Sequence, residues 1–143
     1  ITRYWGRVDG TVFLPGTSRA EDRFARASFL INAIPKTDDT REAAAAVFSV
    51  IRNASAPWGV SVDDQPNLST TRWRVVADHK DRLYYFESVY APNVFWVDLK
   101  NIDFAEATGV RMLDLGPNQR NIFSGEVSEA FVVAQPFTFE PAE

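Results

Sequence analysis

The sequence contains no cysteine and a single histidine, His79. The absence of cysteine excludes disulfides, thiolate metal ligands and a cysteine nucleophile within these 143 residues. A Ser-His-Asp triad would have to be built around His79, which lies in a polar segment between two strand-like runs and is predicted to be a solvent-exposed hairpin residue. No group of histidines and carboxylates indicates a metal site, and no cofactor is expected.

Basic runs and long apolar runs are also missing. The 15 lysines and arginines are scattered among 19 aspartates and glutamates, and the net charge of -4 gives no support for nucleic-acid binding. No apolar run approaches the roughly 18 residues of a membrane span, and no targeting segment is recognised at the start. With 45% hydrophobic residues, the chain is expected to bury the core of one domain. Because it opens on Ile1, it is expected to be a processed or truncated product.

A first helix is predicted within residues 14–34, which read LPGTSRAEDRFARASFLINAI. Pro15-Gly16 is a turn signal, and Ser18 followed by Glu21 predicts a capping box at the helix start. One apolar stripe at helical spacing is expected to form the main packing seam, made of Ala20, Phe24, Ala27, Ile31 and Ile34.

Arg26 lies on this helix about 120° from the stripe, on a side that becomes apolar one turn later. We expect Arg26 to be partly buried, so its guanidinium needs an anionic or carbonyl partner. Two interpretations follow from the residues alone. The first is an intrahelical ion pair with Asp22 at i-4, and the second is an arginine directed into a functional site.

A second helix is predicted to follow, with a capping box formed by Asp39 and Glu42 and an end before Pro57. Residues 56–68 are predicted to form a loop because they are rich in proline, glycine and aspartate. The apolar stripe of this helix is Ala44, Val47, Phe48, Ile51 and Ala54.

Three β-rich runs at residues 70–78, 82–90 and 93–99 have short polar connections, which favours an antiparallel meander. The fold class is therefore α+β, with two helices packed on one face of an antiparallel sheet. Shorter features are predicted at residues 11–14 (a strand), 116–118 (a turn) and 124–140 (a helical turn and a last strand). Aromatic residues of the sheet are assigned to packing and not to chemistry, namely Trp73, Tyr85, Phe95 and Trp96.

The wording of three segments resembles the C-terminal part of the choloylglycine hydrolase and penicillin V acylase family, and most of all its Gram-negative branch. These segments are LPGTSRAEDRFARA, TTRWRVVADHKDRLYYFES and VFWVDLKNIDF. The resemblance implies that residues 1–143 are the C-terminal portion of a single choloylglycine hydrolase-like domain. It implies an αββα sandwich of the N-terminal-nucleophile type, and for that branch a periplasmic homo-oligomer, a homotetramer.

The family hydrolyses linear amides with an N-terminal cysteine, whose thiol is the nucleophile and whose α-amino group is the general base. Its substrates are small-molecule amides such as penicillin V, conjugated bile salts and acyl-homoserine lactones. An arginine of the motif RFxRA belongs to the catalytic set, and the match with residues 23–27 places it at Arg26. A fixed cation there would favour the thiolate and the unprotonated amine.

The resemblance also implies what these residues lack. The family's N-terminal cysteine, its early arginine and aspartate and its oxyanion-hole asparagine belong to an N-terminal part that does not match this sequence. The chain alone is therefore expected to be inactive, and its expected partner is the missing N-terminal segment of the same enzyme. The alternative, from another functional class, is a non-catalytic structural or binding module that retains the fold.

Overall fold

The computed structural model describes residues 14–60, 63, 69–116 and 122–135. The predicted strand at residues 11–14 and the predicted turn at residues 116–118 lie outside this part except for one residue each. The helices are α1 (Ala20–Ala33) and α2 (Thr40–Ala54). The longer strands are β1 (Trp73–Asp78), β2 (Leu83–Ser88) and β3 (Val94–Asp98), and the two-residue strands are β4 (Arg111–Met112), β5 (Gly125–Glu126) and β6 (Val132–Val133). Three short 3₁₀ turns span Leu99–Asn101, Glu106–Thr108 and Ser128–Ala130.

The main sheet has the strand order β1-β2-β3-β5. The antiparallel meander β1-β2-β3 confirms the prediction from the three β-rich runs. The prediction of a wholly antiparallel sheet is wrong, because β5 lies parallel to β3 and makes the sheet mixed. A parallel neighbour needs a long connection, and residues 99–124 separate β3 from β5 in the sequence. Strands β4 and β6 form a separate antiparallel pair.

The start of α2 confirms Asp39 as the N-cap. Its Oδ1 accepts hydrogen bonds from the backbone N–H of Arg41 at 2.8 Å and of Glu42 at 2.9 Å, two of the donors that a helix start leaves unpaired. Glu42 closes the box through Thr37, whose hydroxyl donates to Glu42 Oε2 at 2.8 Å and accepts from the Asp39 N–H at 3.2 Å. The predicted capping box of Asp39 and Glu42 therefore forms with Thr37 as a bridge between the Glu42 carboxylate and the Asp39 N–H.

The predicted capping box at the start of α1 is wrong. The helix begins at Ala20, and its N-cap is Arg19, which makes no side-chain capping bond. Thr17 stabilises this turn instead of Ser18, because its hydroxyl accepts from the Arg19 N–H at 3.2 Å and donates to the Asp22 carboxylate.

The apolar stripe predicted to form the main seam of α1 does not face α2. Phe24 is 73% exposed and Ile31 is 47% exposed, whereas the buried residue of the helix is Arg26, at 8% exposure. The prediction of an apolar seam on this side is therefore wrong. The helix is turned so that its arginines, and not its stripe, meet α2, and an apolar face is left at the surface of the chain.

Helix α2 packs on one face of the meander as predicted. Phe48 meets Tyr85 edge-on, with ring centroids 6.4 Å apart. The core on this side consists of Ala44, Phe48 and Tyr85, with Val76, Leu83, Val94 and Trp96 packed around them. Two members of the predicted stripe of α2, Ala44 and Phe48, are thus confirmed as core, and Val50 is buried as well.

The opposite face of β2 and β3 carries a second core built with the C-terminal segments. Its members are Phe95, Val97 and Val127, with Phe86, Ile102, Leu113, Phe123 and Phe131 against them. This core does not extend to the start of β1, where Trp73 is 60% exposed. The assignment of Trp73 to packing is therefore wrong for the described part of the chain.

A buried carboxylate joins α2 to the sheet. Glu87 on β2 is 8% exposed and accepts from Arg52 Nη2 at 2.6 Å and from Arg74 Nη1 at 3.1 Å. Arg74 also donates through Nε to the Ser55 hydroxyl at 2.8 Å. The two guanidinium groups come from α2 and from β1, so this cluster ties three elements together.

Truncation of this carboxylate tests the cluster. Glu87→Ala leaves two arginines facing each other without their anion, so the free energy of unfolding should fall by about 3 kcal/mol or more. Urea unfolding followed by circular dichroism measures the change. Glu106→Ala, at an exposed position, is the matched control and should change stability by no more than about 0.5 kcal/mol. Equal effects of the two substitutions would contradict a stabilising role for Glu87.

The turn at Ser128 brings its hydroxyl against the carboxylate of Glu126. The hydrogen bond from the Ser128 hydroxyl lowers the pKa of the Glu126 carboxyl below its ordinary 4.5. Since the folded-state pKa is lowered, this contact stabilises the fold above the unfolded pKa and is lost as the pH falls through the folded pKa. Ser128→Ala should raise the Glu126 pKa toward its ordinary value, as followed by carboxyl carbon NMR. An unchanged titration curve would contradict this assignment.

Candidate functional site

The C-terminal end of α2 presents four carbonyls, from residues 51–54, that have no partner within the helix. Ser55 satisfies two of them. Its hydroxyl donates to Ile51 O at 2.7 Å, and its N–H donates to Arg52 O at 3.2 Å. The other two carbonyls need donors from outside the helix.

Two arginines of α1 supply those donors. Arg23 Nε donates to Ala54 O at 2.7 Å, and Arg26 Nε donates to Asn53 O at 3.3 Å. Because the two arginines are three residues apart, they lie on the same face of α1 and reach the same helix end. The negative end of the α2 dipole favours cations at this point. These contacts fix the position of α1 against α2.

Arg26 also holds the segment before α1. Its Nη1 donates to Pro15 O at 2.6 Å and to Thr17 O at 2.9 Å. The ion pair with Asp22 expected as one interpretation is wrong, because Asp22 accepts from the Thr17 hydroxyl instead. All the hydrogen bonds of Arg26 within the described part of the chain go to main-chain carbonyls. Its predicted catalytic role is not tested by these contacts and stays a prediction.

Arg23 has a different environment. Its Nε is bound to Ala54 O, and its two Nη groups make no hydrogen bond to the described residues. Arg23 belongs to the same RFxRA motif as Arg26, and no sequence pattern indicated a role for it. It lines a pocket of about 290 Å³ together with Ala56, Ser69, Thr70, Thr71, Arg72 and Trp73.

Backbone pairing fixes the wall of this pocket. Thr71 N–H donates to Ala56 O at 3.1 Å, and Ala56 N–H donates to the Thr71 hydroxyl at 3.1 Å, so the approach to β1 is tied to the end of α2. Arg72 Nη1 donates to the Tyr90 hydroxyl at 2.6 Å. The Tyr90 ring meets Trp58 edge-on at 5.2 Å. The pocket therefore lies where α1, α2 and β1 meet.

The chemistry of a complete hydrolase is not assembled in the described ranges. His79 is confirmed as an exposed residue of the β1–β2 turn, at the end of β1 far from the pocket. Within residues 14–60, 63, 69–116 and 122–135, no group of three metal-ligating side chains comes together. In the same part of the chain, no helix has the length and apolar character to cross a membrane.

Comparison with known proteins places the chain in a family. Residues 2–113 match the model of the linear amide C-N hydrolases, choloylglycine hydrolase family. The chain belongs to this family. It is 49% identical over 152 residues to a penicillin V acylase of Pectobacterium atrosepticum, an alignment that covers 97% of this chain and 40% of the relative.

A solved structure agrees with the fold. The penicillin V acylase of Agrobacterium tumefaciens is 54% identical and superposes with a TM-score of 0.83, covering 99% of this chain and 45% of that one. The chain thus spans less than half the length of each of these two relatives. It corresponds to the C-terminal portion of a penicillin V acylase. The expected α+β class with two helices on one sheet is confirmed.

Removal of the buried guanidinium tests its structural role. Arg26→Ala leaves three carbonyls without their donor, and each such bond to a charged group contributes about 1.5–3 kcal/mol, so the free energy of unfolding should fall by about 4 kcal/mol or more. Arg19→Ala is the control, since Arg19 forms an exposed ion pair with Glu21 that is worth at most about 1 kcal/mol. Thermal and urea unfolding would report the difference, and equally mild effects would contradict this role.

Proposed function

We propose that this chain is part of a penicillin V acylase-like amide hydrolase whose N-terminal cysteine lies in a segment outside these residues. The observation that carries the proposal is the match of nearly the whole chain, at 49% and 54% identity, to two penicillin V acylases. Penicillin V is accordingly the first substrate to test, ahead of acyl-homoserine lactones and bile salts. The missing N-terminal segment is the partner that completes the site.

The arginines at the end of α2 are the contribution of this chain to the reaction. Attack of a thiolate on an amide carbonyl places negative charge on the oxygen of the tetrahedral intermediate. A fixed cation nearby stabilises that charge and favours the thiolate beforehand. We assign this role to Arg23, because it lines a pocket and its Nη groups make no hydrogen bond to the described residues, and give Arg26 the role of holding α1 and the preceding segment in place. The competing prediction keeps the role at Arg26.

Export to the periplasm and assembly into a homotetramer complete the proposal. Both follow from the resemblance to the Gram-negative branch. An exposed apolar face on α1, with Phe24 and Ile31, supports further assembly, since surfaces of this kind mark contact sites. The occupant of that face can be either the missing segment or another subunit.

Reconstitution tests the activity. The chain is combined with an N-terminal portion of a family member that carries the cysteine, and release of phenoxyacetate from penicillin V is measured by chromatography. In the active complex, Arg23→Gln should lower kcat/KM by about 100-fold or more because the charge on the intermediate loses its cation. Lys80→Gln, an exposed charge at the far end of β1, is the control and should leave kcat/KM unchanged.

Two results would contradict parts of the proposal. A correctly folded complex with no amide hydrolysis would overturn the function. A loss of about 100-fold in Arg26→Lys at unchanged stability, with little change in Arg23→Gln, would move the catalytic role to Arg26.

A further inference from the structure

The pocket between α1 and the start of β1 gathers two guanidinium groups. Arg23 and Arg72 both line its volume of about 290 Å³, and none of the described lining residues is acidic. The two positive guanidinium groups repel each other across a pocket of this size, and an anion bound between them would offset that repulsion. The hydroxyl-bearing residues Ser69 and Thr70 add further polar groups to the lining.

Each guanidinium is oriented by one hydrogen bond. Arg23 is held through Nε by Ala54 O, and Arg72 is held through Nη1 by the Tyr90 hydroxyl. Their other N–H groups make no hydrogen bond to described residues. A planar guanidinium with a fixed orientation matches the two oxygens of a carboxylate, which it binds with parallel hydrogen bonds. The geometry therefore favours a carboxylate over a neutral ligand.

An aromatic side chain lines the same pocket as the two guanidinium groups. Trp73 lines the pocket with most of its surface exposed, although it belongs to a strand whose neighbours are packed. Tyr90, whose hydroxyl accepts from Arg72, packs its ring edge-on against Trp58, with centroids 5.2 Å apart. Exposed aromatic rings bind apolar groups of a ligand through their large surface. The pocket thus offers a cationic end and an apolar side.

We propose that this pocket binds the carboxylate of an acidic amide substrate, with Arg72 on the carboxylate, Trp73 against the adjoining apolar part, and Arg23 left to the charge on the tetrahedral intermediate. The inference names the substrate class of the proposed hydrolase and depends on that proposal for the choice of penicillin V, which carries one carboxylate. It adds Arg72 and Trp73 as substrate-binding residues that set specificity.

Binding to the chain itself tests the site without any turnover, because the chain has no cysteine. Penicillin V, its methyl ester and acetate are titrated against the ¹⁵N-labelled protein by NMR. Penicillin V should bind about tenfold or more tightly than its ester, and Arg72→Gln should remove that difference by weakening only the acid. Trp73→Ala should weaken the acid and the ester alike, and Lys80→Gln should change neither.

The amide spectra of all variants show whether each remains folded, and Arg72 and Trp73 are exposed enough for substitution without core damage. Equal affinity for acid and ester, or an Arg72→Gln variant that keeps the preference for the acid, would overturn the inference. Acetate binding as tightly as penicillin V would also overturn it, since the pocket would then be a general anion site. Hydrolysis is not measured, so a failure here is separate from a failure of the reconstituted enzyme.

Discussion

Four carbonyls at the C-terminal end of α2 need hydrogen-bond donors. The residues that supply these donors determine how the neighbouring elements pack around that end. Ser55 serves two of the carbonyls, and Arg23 and Arg26 reach across from α1 to serve the other two. Because both guanidinium groups must meet the same helix end, the rotation of α1 about its axis is fixed. The same contacts bring the segment before α1, through Pro15 O and Thr17 O, to this point.

The rotation of α1 leaves apolar side chains such as Phe24 exposed, which costs free energy that the hydrogen bonds of Arg26 offset. Burying a side chain such as Phe24 would contribute about 1.5–3 kcal/mol. A hydrogen bond from a charged donor contributes about 1.5–3 kcal/mol, and Arg26 alone makes three of them to carbonyls. The polar contacts therefore outweigh the apolar stripe within this chain. The exposed stripe then becomes a surface that a completed protein can cover without disturbing the helix end.

Sequence patterns predicted several features that depend on neighbouring residues, although the equally local capping box of Ser18 and Glu21 does not form. The Asp39 cap, the exposed His79 turn and the antiparallel meander follow from local spacing, and all three are present. The parallel strand β5 and the Arg52–Glu87–Arg74 cluster depend on contacts between distant segments, so no local pattern indicated them. The motif RFxRA lies on the stretch of α1 that contacts the end of α2, and the catalytic role assigned to it stays a prediction. It carried no information on which arginine would be engaged by carbonyls, because those carbonyls come from another helix.

We propose that the reacting groups of the completed enzyme meet at the pocket beside the end of α2. The most direct test is a crystal structure of the complete enzyme that includes the N-terminal cysteine. We expect the cysteine sulfur next to the pocket lined by Arg23 and Arg72, with the guanidinium of Arg23 facing it. A sulfur at the opposite end of β1, near the turn that carries His79, would contradict this position of the reacting groups.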